Sequence, residues 1–271
     1  MPGLAAVLVG NDPASEVYVR NKSKACQQVG MFTETYNLPA TASEAEVLAL
    51  VARLNRDDRF DGILVQLPLP PQVRAEVVYR TVAEEKDVDG LNPASLGRLV
   101  LGLPGFVPAT PYGIQQMLVR SGHDPAGKHV VICGRSDLVG KPLALLLMQK
   151  AQGSNATVTV CHTGTPNLAS YTRQADILVA AIGSPEFITG DMLKDGVVVV
   201  DVGINRVNDP KTKRGYRLVG DVEFQSASQR ASAITPVPGG VGPVTIAMLI
   251  ANTVTAAQLR RLAPSPSGAR G

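Results

Sequence analysis

The sequence predicts an α/β protein built on parallel sheets. Short β-branched runs alternate along the chain with helical patterns, the order that lays helices on both faces of a parallel sheet. The runs themselves are almost continuously apolar, as strands covered on both sides are. The 271 residues also exceed the usual span of one domain; at roughly 150 residues each they suggest two.

The elements follow in order. A strand is read over 5–9. Asp12-Pro13 then gives an N-cap with proline at the first helical position, opening a helix that runs to about residue 29 and stops near Gly30. A second helix covers 43–54, with Glu44 and Glu46 favourably placed in its first turn. A strand over 62–66 runs into Leu67-Pro68-Leu69-Pro70-Pro71, which lacks the amides for a helix interior or a central strand. A charged helix end, Glu84-Glu85-Lys86, precedes Asp87-Val88-Asp89-Gly90. A second unit starts near Tyr112, with strands at 129–133, 157–161, 176–182 and 196–202 and a helix at 141–150. Residues 209–215 form a basic, turn-rich surface loop, and 235–243 an unusual Pro/Gly loop before an apolar helix over 244–259. Residues 264–271 read as a frayed tail, and there is no internal repeat.

Composition excludes several classes. With 45% apolar residues the chain is not disordered, and a net charge of +3 does not point to nucleic acid or an anionic membrane. Five Phe, six Tyr and no Trp leave few stacking platforms. Apolar runs such as 197–200 fall far short of the roughly 20 residues of a membrane span. Cys26, Cys133 and Cys161 have no metal-like spacing and read as buried free thiols of a reducing compartment. No export signal is visible, so the triplets at Asn21 and Asn155 are chance matches to the glycosylation pattern, and the expectation is a cytoplasmic protein without a metal.

The strand ending at Cys133 leads into Gly134-Arg135-Ser136 and, through Gly140, into Lys141-Pro142. A glycine turn between strand and helix is a phosphate cradle, because backbone amides and the positive helix end face the anion. The spacing is neither Gly-X-Gly-X-X-Gly nor a P-loop. An ordinary βα turn is the alternative reading of these glycines alone. At the end of the next strand stand Cys161-His162-Thr163, with no carboxylate before Asp176. NAD sites usually carry an acid there for the ribose 2′-hydroxyl; a cation at Arg135, a hydroxyl and no acid favour the 2′-phosphate of NADP.

Tyr18 and Lys22 lie four apart on one helix face. They give a planar stacking surface beside an amine that becomes a base if burial lowers its pKa. Gln66 ends a strand, and Asp89 before Gly90 can aim a carboxylate into the same crevice, although a simple helix-ending turn is the alternative there. These residues alone describe a two-domain nucleotide-binding oxidoreductase with a Lys/Tyr/Gln/Asp site and leave its substrate open.

Taken together the motifs resemble the bifunctional methylenetetrahydrofolate dehydrogenase/methenyltetrahydrofolate cyclohydrolase family. They comprise residues 9–15 with Tyr18 and Lys22, 61–70, 86–90, 108–111, Gly134-Arg135-Ser136, 201–205, 219–222 and 235–243, in the family's order over nearly the whole chain. The resemblance implies oxidation of 5,10-methylenetetrahydrofolate with NADP⁺ and hydrolysis of the methenyl product to 10-formyltetrahydrofolate, in one-carbon metabolism and purine biosynthesis. It makes Lys22 the central hydrolytic residue, oriented by Gln66, with Tyr18 stacking on the folate and Asp89 accepting from the pterin. Ser15, Leu67 and Pro68 join the substrate set, as do Pro238, Gly239, Gly240, Gly242, Pro243 and Thr245 in the Pro/Gly loop and the helix after it. NADP falls to Gly134, Arg135, Ser136, Gly140, Pro142, His162, Thr163, Gly183 and Ile204. The implied fold has two lobes: a catalytic, folate-binding domain of 1–111 plus 244–271, to which the C-terminal helix returns, and a Rossmann-like NADP-binding domain of 112–243. The family cleft between lobes holds the substrate, and family members are usually homodimers through the cofactor domain.

The family normally carries a few helical turns before the first strand, whereas this chain enters its strand at Pro2-Gly3-Leu4-Ala5. Thr163 stands where many relatives have serine and keeps the hydroxyl. The competing readings are an NADP-dependent dehydrogenase of another small substrate, such as a shikimate-type enzyme, and a catalytically impaired NADP- or folate-binding protein lacking the N-terminal helix.

Overall fold

In the computed structural model, which describes residues 1–212 and 215–262, the chain divides into two units. One comprises residues 1–109 and the chain from Met248 on; the other is Thr110–Ala247. The border falls inside the last helix. The expected tail at 264–271 and residues 213 and 214 of the expected loop lie outside the described residues.

The first unit begins β1 (Gly3–Val9), α1 (Pro13–Gln28), β2 (Phe32–Leu38), α2 (Glu44–Asn55) and β3 (Gly62–Val65). After the proline run come α3 (Ala75–Thr81), a 3₁₀ turn (Glu84–Lys86) and α4 (Pro93–Leu101). The strands pair in parallel in the order β2-β1-β3, with Val7 opposite both Tyr36 and Val65. Strand β1 is wholly buried, and its alternation assigns the layers. Ala5, Val7 and Val9 face α2 and α3 through Val47, Val51, Leu54 and Val78. Leu4, Ala6 and Leu8 face the other way, against Val19 and Cys26 of α1. Each fully buried Leu or Val contributes about 1.5–3 kcal/mol, so a polar residue on either face would be costly.

The second unit continues with α5 (Ala109–Arg120), β4 (His129–Cys133), α6 (Gly140–Leu147), β5 (Thr157–Cys161), α7 (Leu168–Thr172) and β6 (Ile177–Ala180). It ends with β7 (Val198–Asp201), β8 (Asn205–Asn208), β9 (Tyr216–Val219), α8 (Phe224–Ser228), β10 (Ala233–Ile234) and α9 (Val241–Leu262). Five parallel strands are ordered β10-β7-β6-β4-β5, a Rossmann-like sheet. Val130 and Ile132 pack with Leu143 and Leu147 of α6 and Ile114 of α5, while Val131 and Cys133 face Leu193, Val197 and Ala227. The turn-rich 209–215 region joins β8 and β9 in an antiparallel hairpin that the basic composition does not announce.

Two expectations need correction. The Pro/Gly loop ends earlier, because α9 starts at Val241 and takes Gly242 and Pro243 into its first turn, where proline's missing N–H costs nothing. The 22 residues of α9 are also long and apolar enough, by length and composition, to cross a membrane. Scattered Thr, Asn and Gln keep it from showing as one apolar run. Its later half packs as a core helix: Leu249 and Ala256 join the α1 side of the first unit's core. Arg260 fixes its end, donating to Phe60 O (3.1 Å) and Asp58 O (2.7 Å) and pairing with buried Asp61 (3.0 Å), which also accepts from Gly3 N (2.8 Å).

Candidate active site

In the first unit the site is assembled by α1, the end of β3 and the segment after the 3₁₀ turn. Asp12 caps α1 by accepting from Ser15 N at 2.8 Å, and Pro13 occupies the first turn. Buried Ser15 donates to Leu67 O at 3.3 Å, tying the helix start to the chain beyond β3. Leu67 O also accepts from Gln66 Nε2 at 2.7 Å. That bond orients the Gln66 side chain so that Oε1 accepts from Lys22 Nζ at 3.0 Å. The Leu67–Pro68 peptide is cis.

Burial pushes the Lys22 amine below its ordinary value of 10.5, against a smaller opposing pull from the Asp89 carboxylate. Burial pushes Asp89 upward, with Lys22 pulling it back. Tyr18, half-buried one turn before Lys22, is also raised by burial. Asp89 accepts no hydrogen bond among the described residues. Its backbone is nonetheless fixed. Asn252 Nδ2 donates to Val88 O (2.8 Å) and Val107 O (3.0 Å). Gly90 has φ +72°, and a Cβ there would sit 2.6 Å from Pro108 N, so only glycine fits. Lys86, by contrast, spends its buried amine on Leu54 O (3.0 Å) and Asp57 O (2.8 Å) at the end of α2, and Asp87 accepts Leu91 N and Asn92 N before α4.

In the second unit the expected cofactor segments leave one edge of the sheet. Cys133 is opposite both Cys161 and Ala180, and Ala180 is opposite Asp201. The loops carrying Gly134–Ser136, His162 and Thr163, Gly183, and Ile204 therefore follow neighbouring strand ends, where open α/β sheets bind ligands. Gly134 has φ +137°, and a Cβ on it would lie 2.1 Å from Ala181 O; one on Gly140 would lie 2.1 Å from Gly134 O. The turn is thus as tight as a backbone allows. Ser136 accepts from Val139 N (3.2 Å) and Lys141 N (3.1 Å), and exposed Arg135 pairs with no carboxylate among the described residues. His162 accepts Gly164 N at Nδ1 (3.0 Å), which leaves Nε2 protonated in the neutral ring. Pro142 is buried in the first turn of α6, and Ile204 is exposed. Pro238 follows a second cis peptide, Gly239 has φ +109°, and Thr245 bonds Thr110 at 3.2 Å.

Sequence pattern leaves one pair of residues without a role. Asp201 and Asp221 belong to recognised motifs, but only the folded chain shows both buried and saturated with backbone donors. The signal available was the glycine next to or near each: a Cβ on Gly203 or Gly220 would collide with the Asp221 or Asp201 carboxylate.

A Rossmann-like unit with a glycine-tightened turn, joined in sequence to an α/β unit holding a half-buried lysine–glutamine pair, defines a dinucleotide-dependent enzyme. Two family models match the chain: the tetrahydrofolate dehydrogenase/cyclohydrolase catalytic domain over residues 1–89 and the NAD(P)-binding domain of the same family over 108–261. The chain belongs to the tetrahydrofolate dehydrogenase/cyclohydrolase family. It is 57% identical to the bifunctional protein FolD of Chloroherpeton thalassium over 94% of this chain and 87% of that one. It matches the N5,N10-methylenetetrahydrofolate dehydrogenase-cyclohydrolase of Trypanosoma brucei, solved with NADP cofactor and inhibitor, at TM-score 0.91 and 41% identity over 97% and 88% of the two chains. Shikimate 5-dehydrogenase of Listeria monocytogenes, 15% identical at TM-score 0.55 over 96% of each chain, shares the fold alone.

Proposed function

We infer that Lys22 carries the hydrolytic half of a two-step conversion. The chain oxidises 5,10-methylenetetrahydrofolate to the methenyl compound with NADP⁺ and hydrolyses that compound to 10-formyltetrahydrofolate. The observation carrying the role of Lys22 is a half-buried amine with one side-chain partner, Gln66 Oε1 at 3.0 Å, near the Asp89 carboxylate, which accepts no hydrogen bond among the described residues.

The second unit's residues fit NADP. Gly134 and Gly140 let the turn between β4 and α6 close tightly enough to present its backbone to a pyrophosphate, exposed Arg135 pairs with no carboxylate among the described residues, and the end of β5 has no carboxylate to repel a 2′-phosphate. Gly183 and Ile204 line the neighbouring loops. When held there, NADP⁺ would supply the hydride acceptor for the one-carbon bridge, a step in which the residues' part is positioning more than acid or base.

The protein's own chemistry follows. Tyr18 stacks on the folate, and Asp89, with its lone pairs free, accepts from the pterin and fixes its orientation. Ser15 and Gln66 hold the Leu67 carbonyl and thereby the Lys22 amine. The methenyl product is a cation, so its presence further favours a neutral Lys22. The neutral amine takes a proton from water as the oxygen bonds the methenyl carbon, and returns one to the ring nitrogen as its bond to that carbon breaks. One proton is released overall. The functional form is a homodimer through the cofactor-binding unit in the cytoplasm; family resemblance supports both, and three buried free thiols suit a reducing compartment.

Mixing protein with 5,10-methylenetetrahydrofolate and NADP⁺, and following NADPH and methenyl absorbance together, tests this reading. NADPH appearing with little methenyl build-up is expected. NADPH with stoichiometric methenyl accumulation would refute the assignment of Lys22.

A further inference from the structure

We propose that Asp221 is the positioning residue for two cofactor-facing loops, binding the backbone after β6 and the side chain of Asn205 after β7 with one buried carboxylate. The inference rests on the reading of Gly183 and Ile204 as cofactor contacts.

Asp221 is fully buried. Its Oδ2 accepts from Ile182 N at 2.6 Å and Gly183 N at 2.9 Å. Its Oδ1 accepts from Ser184 N at 3.0 Å and Asn205 Nδ2 at 2.8 Å. Three successive amides outside any strand thus converge on one side chain, and the fourth donor comes from the residue after Ile204. Among the described residues no cation pairs with it. A buried charge is tolerable only when such donors replace water.

Asp221 is itself held. Asp201 Oδ1 accepts from Asp221 N and Gly203 N, both at 2.9 Å, and its Oδ2 accepts from Val222 N at 2.9 Å. Gly203 and Gly220 make the approach possible: a Cβ on Gly203 would lie 2.3 Å from the Asp221 carboxyl, and one on Gly220 1.8 Å from Asp201. The end of β7 therefore sets the chain after β9, which in turn sets the loop after β6. Asparagine at 221 would keep the shape, but one oxygen would become a donor facing donors.

Amide hydrogen exchange on the cofactor-free protein is the first readout. In the native chain Ile182, Gly183 and Ser184 are expected to exchange as slowly as β6 itself. Exchange at the rate of an exposed loop overturns the proposal. In Asp221→Asn those three amides lose protection while β4 and β6 keep theirs, and calorimetry shows NADP⁺ binding weakened about ten- to a hundred-fold. Hydrolysis of supplied methenyltetrahydrofolate, which uses Lys22 in the other unit, persists. Loss of protection throughout the sheet, or unchanged NADP⁺ affinity with the loop released, each overturns it. Separately, NADP⁺ added to the native protein should shift the Gly183 and Ile204 amide resonances. If neither moves, the reading of those contacts fails, whatever Asp221 does to the loop.

Discussion

The surroundings of Lys22 and of Asp221 treat buried charge in opposite ways. On Asp221 every carboxylate lone pair is matched, by four donors, and Asp201 accepts three more; all but one of the seven donors are backbone amides. Around Lys22 the amine has one side-chain acceptor and Asp89 accepts nothing among the described residues. Saturated buried groups rigidify, whereas partly satisfied ones carry a standing desolvation cost that a ligand relieves. Lys86 shows that the contrast is not between lysine and aspartate. It is as buried as a lysine can be, at 3% exposure, yet two carbonyls at the end of α2 make it structural.

The contrast can be broken by mutation. Lys22→Met should cut methenyl hydrolysis by about 10²–10⁴-fold, the usual share of a general acid–base group. It should leave NADP⁺ affinity intact and the melting temperature equal or higher, since a buried cation is exchanged for an apolar side chain. Asp201→Ala does the reverse. Three buried amides lose their acceptor at about 1–3 kcal/mol each, so denaturant unfolding should show the chain weakened by about 3 kcal/mol or more.

A subtler effect sharpens the Lys22 side. Only the neutral amine accepts a proton, so hydrolysis must rise with pH through the Lys22 pKa. Asp89 pulls that pKa up; Asp89→Asn should therefore move the rising limb of the pH–rate profile to lower pH at saturating substrate. A limb that stays put would remove Asp89 from the electrostatics of the amine. Smallest of all is Glu186→Gly. Glu186 sits at φ +53°, a strained setting for a residue with a Cβ, and forms a paired contact with Arg217 at 3.0 and 3.1 Å. Glycine relieves the one and loses the other, so the melting temperature should change by no more than about 3 °C.

These sites were unequally legible in the sequence. The Asp12-Pro13 start of α1, strands β4 to β7 and the glycine turn after β4 follow from local chemistry, and their ends shift by only a few residues, whereas β8, β9 and β10 were not read. Strand β2 is less visible because it is an edge strand: Phe32, Tyr36 and Leu38 touch the core while the Thr and Glu between them are partly wet. The α4 helix bears the same cap-and-proline signal as α1, Asn92 before Pro93, and that signal was available. Tyr18 and Lys22 are readable as neighbours because helix periodicity is local. The Lys22–Gln66 bond spans 44 positions and the Asp221 network 37 to 39. Contacts that distant are created by sheet register, which no short motif encodes; the family resemblance supplied the first and left the second without a role.

The central claim is that burial makes Lys22 a base, and titrating that amine tests it most directly. In protein carrying ¹⁵N-lysine, the Lys22 signal is the resonance missing from Lys22→Met. A midpoint of deprotonation below 10.5 is the predicted result. An amine still protonated at pH 10.5 would contradict the account.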